Sequence, residues 1–430
     1  MAAPLTPALT LVLFLAVVVA SVMRPGRLSP GLFAAVGAAV AVAVGFTAPS
    51  SLSTIWSLIW DPTLAFVAAI VMSLVLDQIG VFAWAARHVL IAARGHTFLA
   101  FGGLLLLAAV VSMLFNNDGS ALIMTPIALE MAALFALGPG PSMALLLSVG
   151  FMVDAASLPL PISNLVNILA TDSAHISFVA FAQTMLPVDV AVVTASVVLT
   201  WVLLGRRLPE QVAVEVPDPA AAVPDLVLLR RALLLIGALL VAYVASGLHP
   251  FPVSLPATAA AAVLVVMAQR RRLLRPRALF SGPWQVVAFS IGMYVLVFAL
   301  GQSGLLASLQ SALAWASRLS PAGGVFAVGL ITAALSALVN NLPAIMAVML
   351  GLGHLTLSHG ASLSLTAAAA VGADIGPKIS PIGSLATLIW LHRLERHGIS
   401  ISWRTYVGVG VVLTVPVLLV ALVTLASIPH

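Results

Sequence analysis

Residues Gly372 to Thr387, GADIGPKISPIGSLAT, constrain this fold more than any other stretch. They lie inside an apolar run long enough to cross a membrane. Yet they carry Asp374 and Lys378, flanked by Pro377, Pro381, Gly376 and Gly383. Lys378 is the only lysine in the chain. A charged side chain at the bilayer centre costs about 2.5–3.5 kcal/mol on insertion scales. The glycine–proline pattern interrupts the helix, which a membrane tolerates only where protein or a water-filled cavity covers the broken backbone. Two readings are open: a polar site at a helix break, or a buried Asp–Lys pair that only pins two helices.

Composition sets the solvent. Hydrophobic residues make up 62% of the chain and charged residues 7%, with mean hydropathy +1.18. A soluble domain carries about 25% charged residues. The chain therefore reads as an all-α polytopic membrane protein. Its net charge of +5 is spread over short loops, which concerns orientation in the bilayer and gives no nucleic-acid surface. With no cysteine there is no disulfide and no thiolate chemistry. No basic segment precedes the first apolar run, Leu5 to Met23, so no cleavable signal is expected.

Apolar stretches of spanning length run roughly over 4–23, 31–47, 62–79, 98–115, 142–170, 184–205, 228–248, 253–269, 284–303, 323–339, 362–391 and 405–427. Two of them end in the doublets Asn116-Asn117 and Asn340-Asn341, and further apolar residues follow each doublet. An asparagine pair followed by Asp118-Gly119, or by Pro343, breaks a helix. Each doublet is read as the tip of a re-entrant hairpin, over about 98–137 and about 323–358. Two ordinary spans joined by a short polar loop are the alternative.

An internal repeat supports the hairpins. At an offset of 224, Trp60 meets Trp284, Gln78 meets Gln302, and VSMLFNN (111–117) meets LSALVNN (335–341). At an offset of 220, Asp154 meets Asp374, Pro161 meets Pro381, Asn164 meets Ser384 and Asn167 meets Thr387. Chance similarity between apolar helices accounts for matched leucines and alanines, not for matched Trp, Asn-Asn and Asp at nearly one offset.

Loop charges then set the relative orientation. Cytoplasmic loops are enriched in arginine and lysine. Arg24 and Arg27 follow the first span, Arg87 and Arg94 the third, and the loop before Trp60 has no basic residue. The loop before Trp284 holds Arg270, Arg271, Arg272, Arg275 and Arg277. The same repeat position is uncharged in one half and strongly basic in the other, so the halves are inverted, as in many secondary transporters. The expected plan is two inverted five-span repeats, each with a re-entrant hairpin and a broken helix: about ten spans plus two hairpins. The first repeat is 1–205, with its broken span at about 142–170. The second is 228–430, with its broken span at about 362–391. Segments 206–227 and 270–282, with Arg393, Arg396 and Arg404, fall in the cytoplasm; both termini fall outside, and Arg318 is the lone basic exception there. The linker 206–227, with its prolines and acids, reads as a flexible cytosolic connector without a phosphate-binding loop. The chain is therefore expected not to hydrolyse nucleotide.

FNNDGSALIMTPI, DAASLPLPISNLVNI, PWQVVAFSIGMYVLVF and GADIGPKISPIGSLATLIWLH resemble the ArsB-type arsenite and antimonite efflux transporters of the ion-transporter superfamily. The Asn-Asn doublets are shared with sodium/proton antiporters and carboxylate carriers; the long GPKISPIGSLATLIWLH run is specific. The resemblance implies a multi-pass protein of the bacterial inner membrane that expels arsenite and antimonite against proton entry. It also implies, in some cases, an ArsA-type ATPase partner. Some relatives have a cysteine where this chain has Ala373, so thiol coordination of arsenic is impossible here.

Arsenite near neutral pH is mainly a small uncharged trihydroxide. Without thiols, its recognition needs hydrogen-bond donors and acceptors around a small polar cavity. The candidate substrate-binding residues are Asn116, Asn117, Asp118, Asn340 and Asn341 at the hairpin tips. Ser157, Ser163, Asn164, Asn167, Ser380, Ser384 and Thr387 join them from the broken spans. For each alone, an interhelical hydrogen bond is the plainer reading. Asp118, Asp154 and Asp374 around Lys378 are the candidate proton-coupling groups. Glu130 lies on the return arm of the first hairpin, and Asp77, Asp172 and Asp189 are expected near interfaces. The histidines fall in or near loops without metal-ligand spacing, so no metal or cofactor is expected. No catalytic Ser/His or paired-carboxylate motif points to an enzyme. A sodium/proton antiporter or carboxylate carrier is the alternative. Against a carboxylate substrate, acids outnumber Lys378 in the site.

Overall fold

A computed structural model describes residues 5–212, 215–246, 251–280, 284–381, 383–396 and 398–429. Ala213 and Val214 of the linker and Ser281 and Gly282 of the basic loop lie outside the described residues, as do the side chains of Arg27, Arg393 and Arg396. Apart from an isolated bridge between His96 and Gln211, the regular structure described is helical. In the first half run α1 (Leu5–Met23), α2 (Pro30–Ala43), α3 (Ser51–Ile79), α4 (Val81–Ala93), α5 (Thr97–Phe115), α6 (Asn117–Leu134), α7 (Pro139–Ala155), α8 (Leu165–Ser173) and α9 (Phe178–Leu203). In the second half follow α10 (Leu226–Ala245), α11 (Ser254–Arg270), α12 (Pro276–Phe280), α13 (Trp284–Gln302), α14 (Ala307–Ala316), α15 (Pro321–Val339), α16 (Asn341–Leu352), α17 (His359–Ile375), α18 (Leu385–Arg396) and α19 (Trp403–Ala426).

Helix bounds recur at the sequence offsets. Thr97–Phe115 answers Pro321–Val339, Pro139–Ala155 answers His359–Ile375, and Leu165 answers Leu385 as a helix start. Seven described helices are long and apolar enough to cross a membrane by length and composition. This polytopic all-α chain exposes large apolar side chains such as Val12, Leu234, Val241 and Leu338, as a surface facing lipid would. The opposed orientation of the two halves we propose on the loop charges.

Length alone does not separate a crossing helix from a hairpin arm. Helices α5 and α15 are long enough to cross, yet each ends at an asparagine with positive φ (Asn116 +70°, Asn340 +87°). Asparagine is among the few side chains that accept this backbone region. The chain reverses there. Glu130 near the end of α6 pairs with Arg87 of α4, just before α5 begins, so both arms of the hairpin reach the same end of the molecule. In the second hairpin Gly351 of α16 packs on Leu313 of α14, just before α15.

Packing between helices relies on small residues, because lipid supplies no hydrophobic drive for helices to associate. Gly292 of α13 lies against the backbone of Ala34 in α2; an added Cβ would stand 2.5 Å from the Ala34 carbonyl carbon. Gly372 of α17 rests directly on the Gly329 carbonyl of α15. The pairs α2–α13 and α3–α11 join the two halves, and α9 packs along α19.

Three sequence expectations change. Segment 81–93, read as loop, is helix α4, which buries Val81, Phe82, Ala86, Leu90 and Ala93. The described linker is no free connector. Val212 donates to the Gly95 carbonyl at 3.0 Å, Arg87 donates to the Asp218 carbonyl at 3.1 Å, and Ala222 packs on Gly80. Asp225 caps α10 and pairs with Arg271 at 3.4 Å. The Leu228 amide, more than the arginine, holds its carboxyl below the ordinary carboxylate range. Third, Asp189 sits midway along α9 and is buried, not at an interface.

Segments 78–97, 206–212, 215–227 and 271–275 thus gather at one end, which the charge pattern assigns to the cytoplasm. Residues from 57–61 and 168–178, with Ser246, Phe251, Pro252 and Val253, surround a cavity of about 590 Å³; the charge pattern puts all of them outside.

Two outcomes test this arrangement. A cysteine at exposed Pro217 should escape an impermeant thiol reagent added to intact cells and react in everted vesicles; labelling from outside would overturn the assigned orientation. Gly372→Ala should cost about 1–3 kcal/mol through overpacking on Gly329, measured as a lowered unfolding temperature in detergent.

Candidate functional site

Four half-helices start and four end around one region: the tips of both hairpins and the breaks of both long spans. A helix end leaves unpaired amides or carbonyls, and here side chains of the same segments take up many of them. The Asn116 Oδ1 accepts from the Asp118 amide at 2.9 Å, and the Asn340 Oδ1 from the Leu342 amide at 3.3 Å. The first asparagine of each doublet is thus an N-cap for the returning arm. Ser163 donates to the Met113 carbonyl and Ser380 to the Ala337 carbonyl, both at 2.7 Å. These two serines fasten each broken span to the outgoing arm of its own hairpin. The Asn341 amide donates to the Gly383 carbonyl at 2.9 Å, which ties the second tip to the second break.

The second asparagine of the first doublet reaches further. Asn117 Nδ2 donates to Asp154 Oδ1 at 3.2 Å. The other oxygen of Asp154 forms a direct ion pair with Lys378 Nζ. Lys378 also donates to the Gly150 carbonyl and to Thr387 Oγ1, each at 3.3 Å. Thr387 Oγ1 stands 3.5 Å from Asp154 Oδ2 and 3.4 Å from the Tyr406 hydroxyl. Asp154 and Lys378 are 3% and 4% exposed, so this is a buried pair whose remaining valences are met by polar partners. The Gly150 carbonyl belongs to the last turns of α7, where a helix end favours a cation.

A cavity of about 20 Å³ adjoins the pair, lined by Gly150, Asp154, Lys378, Thr387, Trp390 and Tyr406 among others. That is room for about one water molecule. Gly150 is small because Trp390 needs the space: a Cβ there would stand 2.9 Å from the indole. Gly410 of α19 rests on the Lys378 carbonyl, which holds the lysine segment against α19.

Asp374 occupies the corresponding place in the other half but has different company. Its Oδ1 accepts from Asn164 Nδ2 at 2.6 Å. Asn164 Nδ2 also stands 3.4 Å from Ser157 Oγ, which donates to the Asp154 carbonyl at 2.7 Å. Asn167 donates to the Ser157 carbonyl at 2.8 Å. The aspartate of each broken span therefore meets the second half-helix of the other: Asp154 meets Thr387, and Asp374 meets Asn164.

The structure brings Asn117, Asp154, Lys378 and Thr387 together in one cluster, and Ser157, Asn164, Asn167 and Asp374 in the next. Asp118 lies at the first tip, half-buried, within electrostatic reach of Lys378. Asn116, Asn340, Ser163 and Ser380 serve the backbone around them. Asn341 and Ser384 are buried at the second tip and break. Glu130 is exposed and engaged by Arg87 at 3.6 Å. Sequence reasoning missed Trp390, Tyr406 and Asp189. Two signals were available: the chain has three tyrosines, and an aspartate midway along an apolar helix is rare.

Comparison with known proteins follows the same direction. The family model described as arsenical pump membrane protein matches residues 9–428. The arsenical pump membrane protein of Escherichia coli (strain K12) is 36% identical over 423 residues, covering 96% of this chain and 97% of that protein. That of Yersinia enterocolitica is 36% identical over 416 residues, with the same coverage of both chains. Among solved structures, the YdaH transporter of Alcanivorax borkumensis, described as having an unusual topology, superimposes with a TM-score of 0.54. It shares 17% identity, covering 87% of this chain and 86% of that one, a likeness of fold.

The buried pair makes a sharp prediction. Removing one member leaves the other charge uncompensated, at a cost of about 3–5 kcal/mol. Lys378→Ala and Asp154→Asn should each lower the unfolding temperature in detergent. The double variant should recover most of the loss; a double variant as unstable as the two losses added together would show that the pair is not coupled.

Proposed function

The chain belongs to the arsenical pump membrane protein family, and from that premise we propose that it expels arsenite and antimonite from the cytoplasm by secondary transport coupled to proton entry. One observation carries the reading: a buried Lys378–Asp154 pair closed by Asn117, Thr387 and Tyr406, with no thiol in the chain. An uncharged trihydroxide offers both donors and acceptors. An ammonium gives hydrogen bonds to its oxygens, a carboxylate takes them from its hydroxyls, and amide and hydroxyl groups do either. A cluster of this kind suits a neutral polyhydroxy solute better than an anion, whose charge would meet Asp154 and Asp118.

The cavity holds about one water, so substrate cannot occupy the closed arrangement. Binding requires the Lys378–Asp154 contact to open. The substrate then stands between the two groups and satisfies both, which offsets the cost of parting them. Movement of the hairpins and broken spans against the remaining helices would carry that site between the two sides. Protonation of one acid among Asp118, Asp154 and Asp374 favours release outside, and loss of the proton to the cytoplasm restores binding.

A neutral solute exchanged for a proton moves net charge. Membrane potential then contributes about 2.3 kcal/mol per charge per 100 mV. An ArsA-type ATPase would add a second energy source at the cytoplasmic end, since this chain offers no phosphate-binding loop of its own. Lys378 supplies a fixed positive charge within the site, so sodium should be dispensable.

The test is arsenite uptake into everted vesicles. Uptake should rise with an imposed proton gradient, be unchanged by sodium, and fall to the background of empty vesicles in folded, inserted Lys378→Ala. Sodium-dependent uptake, or full uptake by that variant, would overturn the reading.

A further inference from the structure

The Asp374 end of the site is built without a cation. Asp374 is 3% exposed, and its Oδ2 has no hydrogen-bond partner among the described residues. Asn167 lies beside the same carboxyl. It commits Nδ2 to the carbonyls of Ser157, Leu160 and Leu158 at 2.8, 3.4 and 3.5 Å, which fixes the orientation of the amide. The Asn167 Oδ1 is left bare and fully buried. From α9, Asp189 lies against the Leu158 amide, within electrostatic reach of Asp374, and its Oδ1 is also bare. One oxygen on each of these three residues, Asp374 Oδ2, Asn167 Oδ1 and Asp189 Oδ1, is thus buried without a hydrogen-bond donor among the described residues.

The other groups around Asp374 do not resolve this. Helix α8 presents Asn164 and Asn167, with Asp172 at its outer end. Helix α7 presents Asp154, and Lys378 is already paired with it. Helices α15 and α16 carry no charged residue, and the ionisable groups of α19 are Arg404 and Tyr406 at its other end. Two ionised carboxylates in electrostatic reach, each with a bare oxygen and no counter-ion, would be strongly disfavoured in such a place. One proton removes the difficulty. It neutralises one carboxylate and makes its oxygen a donor to a neighbouring bare acceptor.

Resting on the transport reading above, we propose that the exchanged proton is held by the Asp374–Asp189 carboxyl pair beside Asn167, and that Lys378–Asp154 is the substrate end of the site. Asp189 thereby becomes a proton-site residue. The step is a plain proton transfer: an O–H bond forms on the pair as a proton arrives, and breaks as the proton leaves to the cytoplasm. A route of arrival is present. The cavity of about 590 Å³ is lined by Ile168, Thr171, Asp172 and His175. Thr171, one helical turn beyond Asn167, donates to its carbonyl at 2.8 Å. The cavity therefore ends one turn of α8 from Asn167, on the side the loop charges assign to the exterior.

Infrared difference spectroscopy on the purified full chain, with exchange into heavy water, tests this without any substrate. The carbonyl stretch of a buried protonated carboxylic acid should be present at neutral pH. It should shift or weaken in Asp189→Asn, vanish in Asp374→Asn, and persist in Asp154→Asn. A band lost in Asp154→Asn and kept in Asp374→Asn would overturn the assignment, as would its absence from the unmutated protein. Loss of the band on adding sodium would show a metal-cation site instead. The second readout is the ratio of arsenite flux with and without a proton gradient, which should fall to one in Asp374→Asn and in Asp189→Asn. A ratio equal to that of the unmutated protein would also overturn the inference. If the unmutated protein moves no arsenite, the transport reading fails while the band still decides where the proton sits. If a variant has no flux at all, its band decides.

Discussion

One ion pair, Lys378 with Asp154, joins the two halves of this chain at their least lipid-compatible point. The lysine belongs to the break of the second long span and the aspartate to the break of the first. Neither could stay charged there alone. Each break therefore depends on the other half being in place, and the halves cannot be read as independent domains. The closely packed glycines serve this arrangement. Gly410 lets α19 touch the Lys378 backbone, and Gly150 leaves room for Trp390 beside the pair.

The interruptions are costly features that the surrounding chain satisfies locally. Asn116 and Asn340 take positive φ and then cap the helices that follow them. Ser163 and Ser380 give their hydroxyls to carbonyls at the ends of α5 and α15. These residues make the half-helix ends tolerable in the membrane interior. Thr387 and Tyr406 are then left to face the cavity, and Asn117 to hold Asp154. Polar residues at a helix break thus divide into those that complete the backbone and those that present chemistry, and residue type alone does not tell them apart.

Much of this was legible in the sequence. The matched Asn-Asn doublets, and the prolines and glycines that follow the matched Asp154 and Asp374, carried the breaks, because such residues interrupt a helix. The exchange of partners between halves was not legible: an offset shows which residues correspond, not which touch. Asp374 is four residues from Lys378 in the chain, yet the lysine bonds to Asp154, 224 residues away by number. Helix α4 was missed because Arg87 and Arg94 read as loop charge, although its apolar residues line one face. The linker was misread because prolines and acids signal an irregular path, and an irregular path can still be packed. Asp189 was read as lying near an interface, although an aspartate midway along an apolar helix is itself a signal.

The two half-sites differ in a way that bears on what each can do. At the offset of 220, Lys378 corresponds to Leu158, Thr387 to Asn167 and Ser384 to Asn164. The half-site of Asp154 has gained an ammonium, and its carboxylate is compensated. The half-site of Asp374 has an apolar side chain where the ammonium would be, and amides in place of hydroxyls. It also has Asp189, whose position in α19 at an offset of 224 is Leu413. One centre is therefore electrically balanced and suited to a neutral solute that exchanges hydrogen bonds. The other carries an excess of acid that only a cation can balance. Divergence at a few matched positions is then enough to give the two halves of a duplicated break unlike electrostatic character.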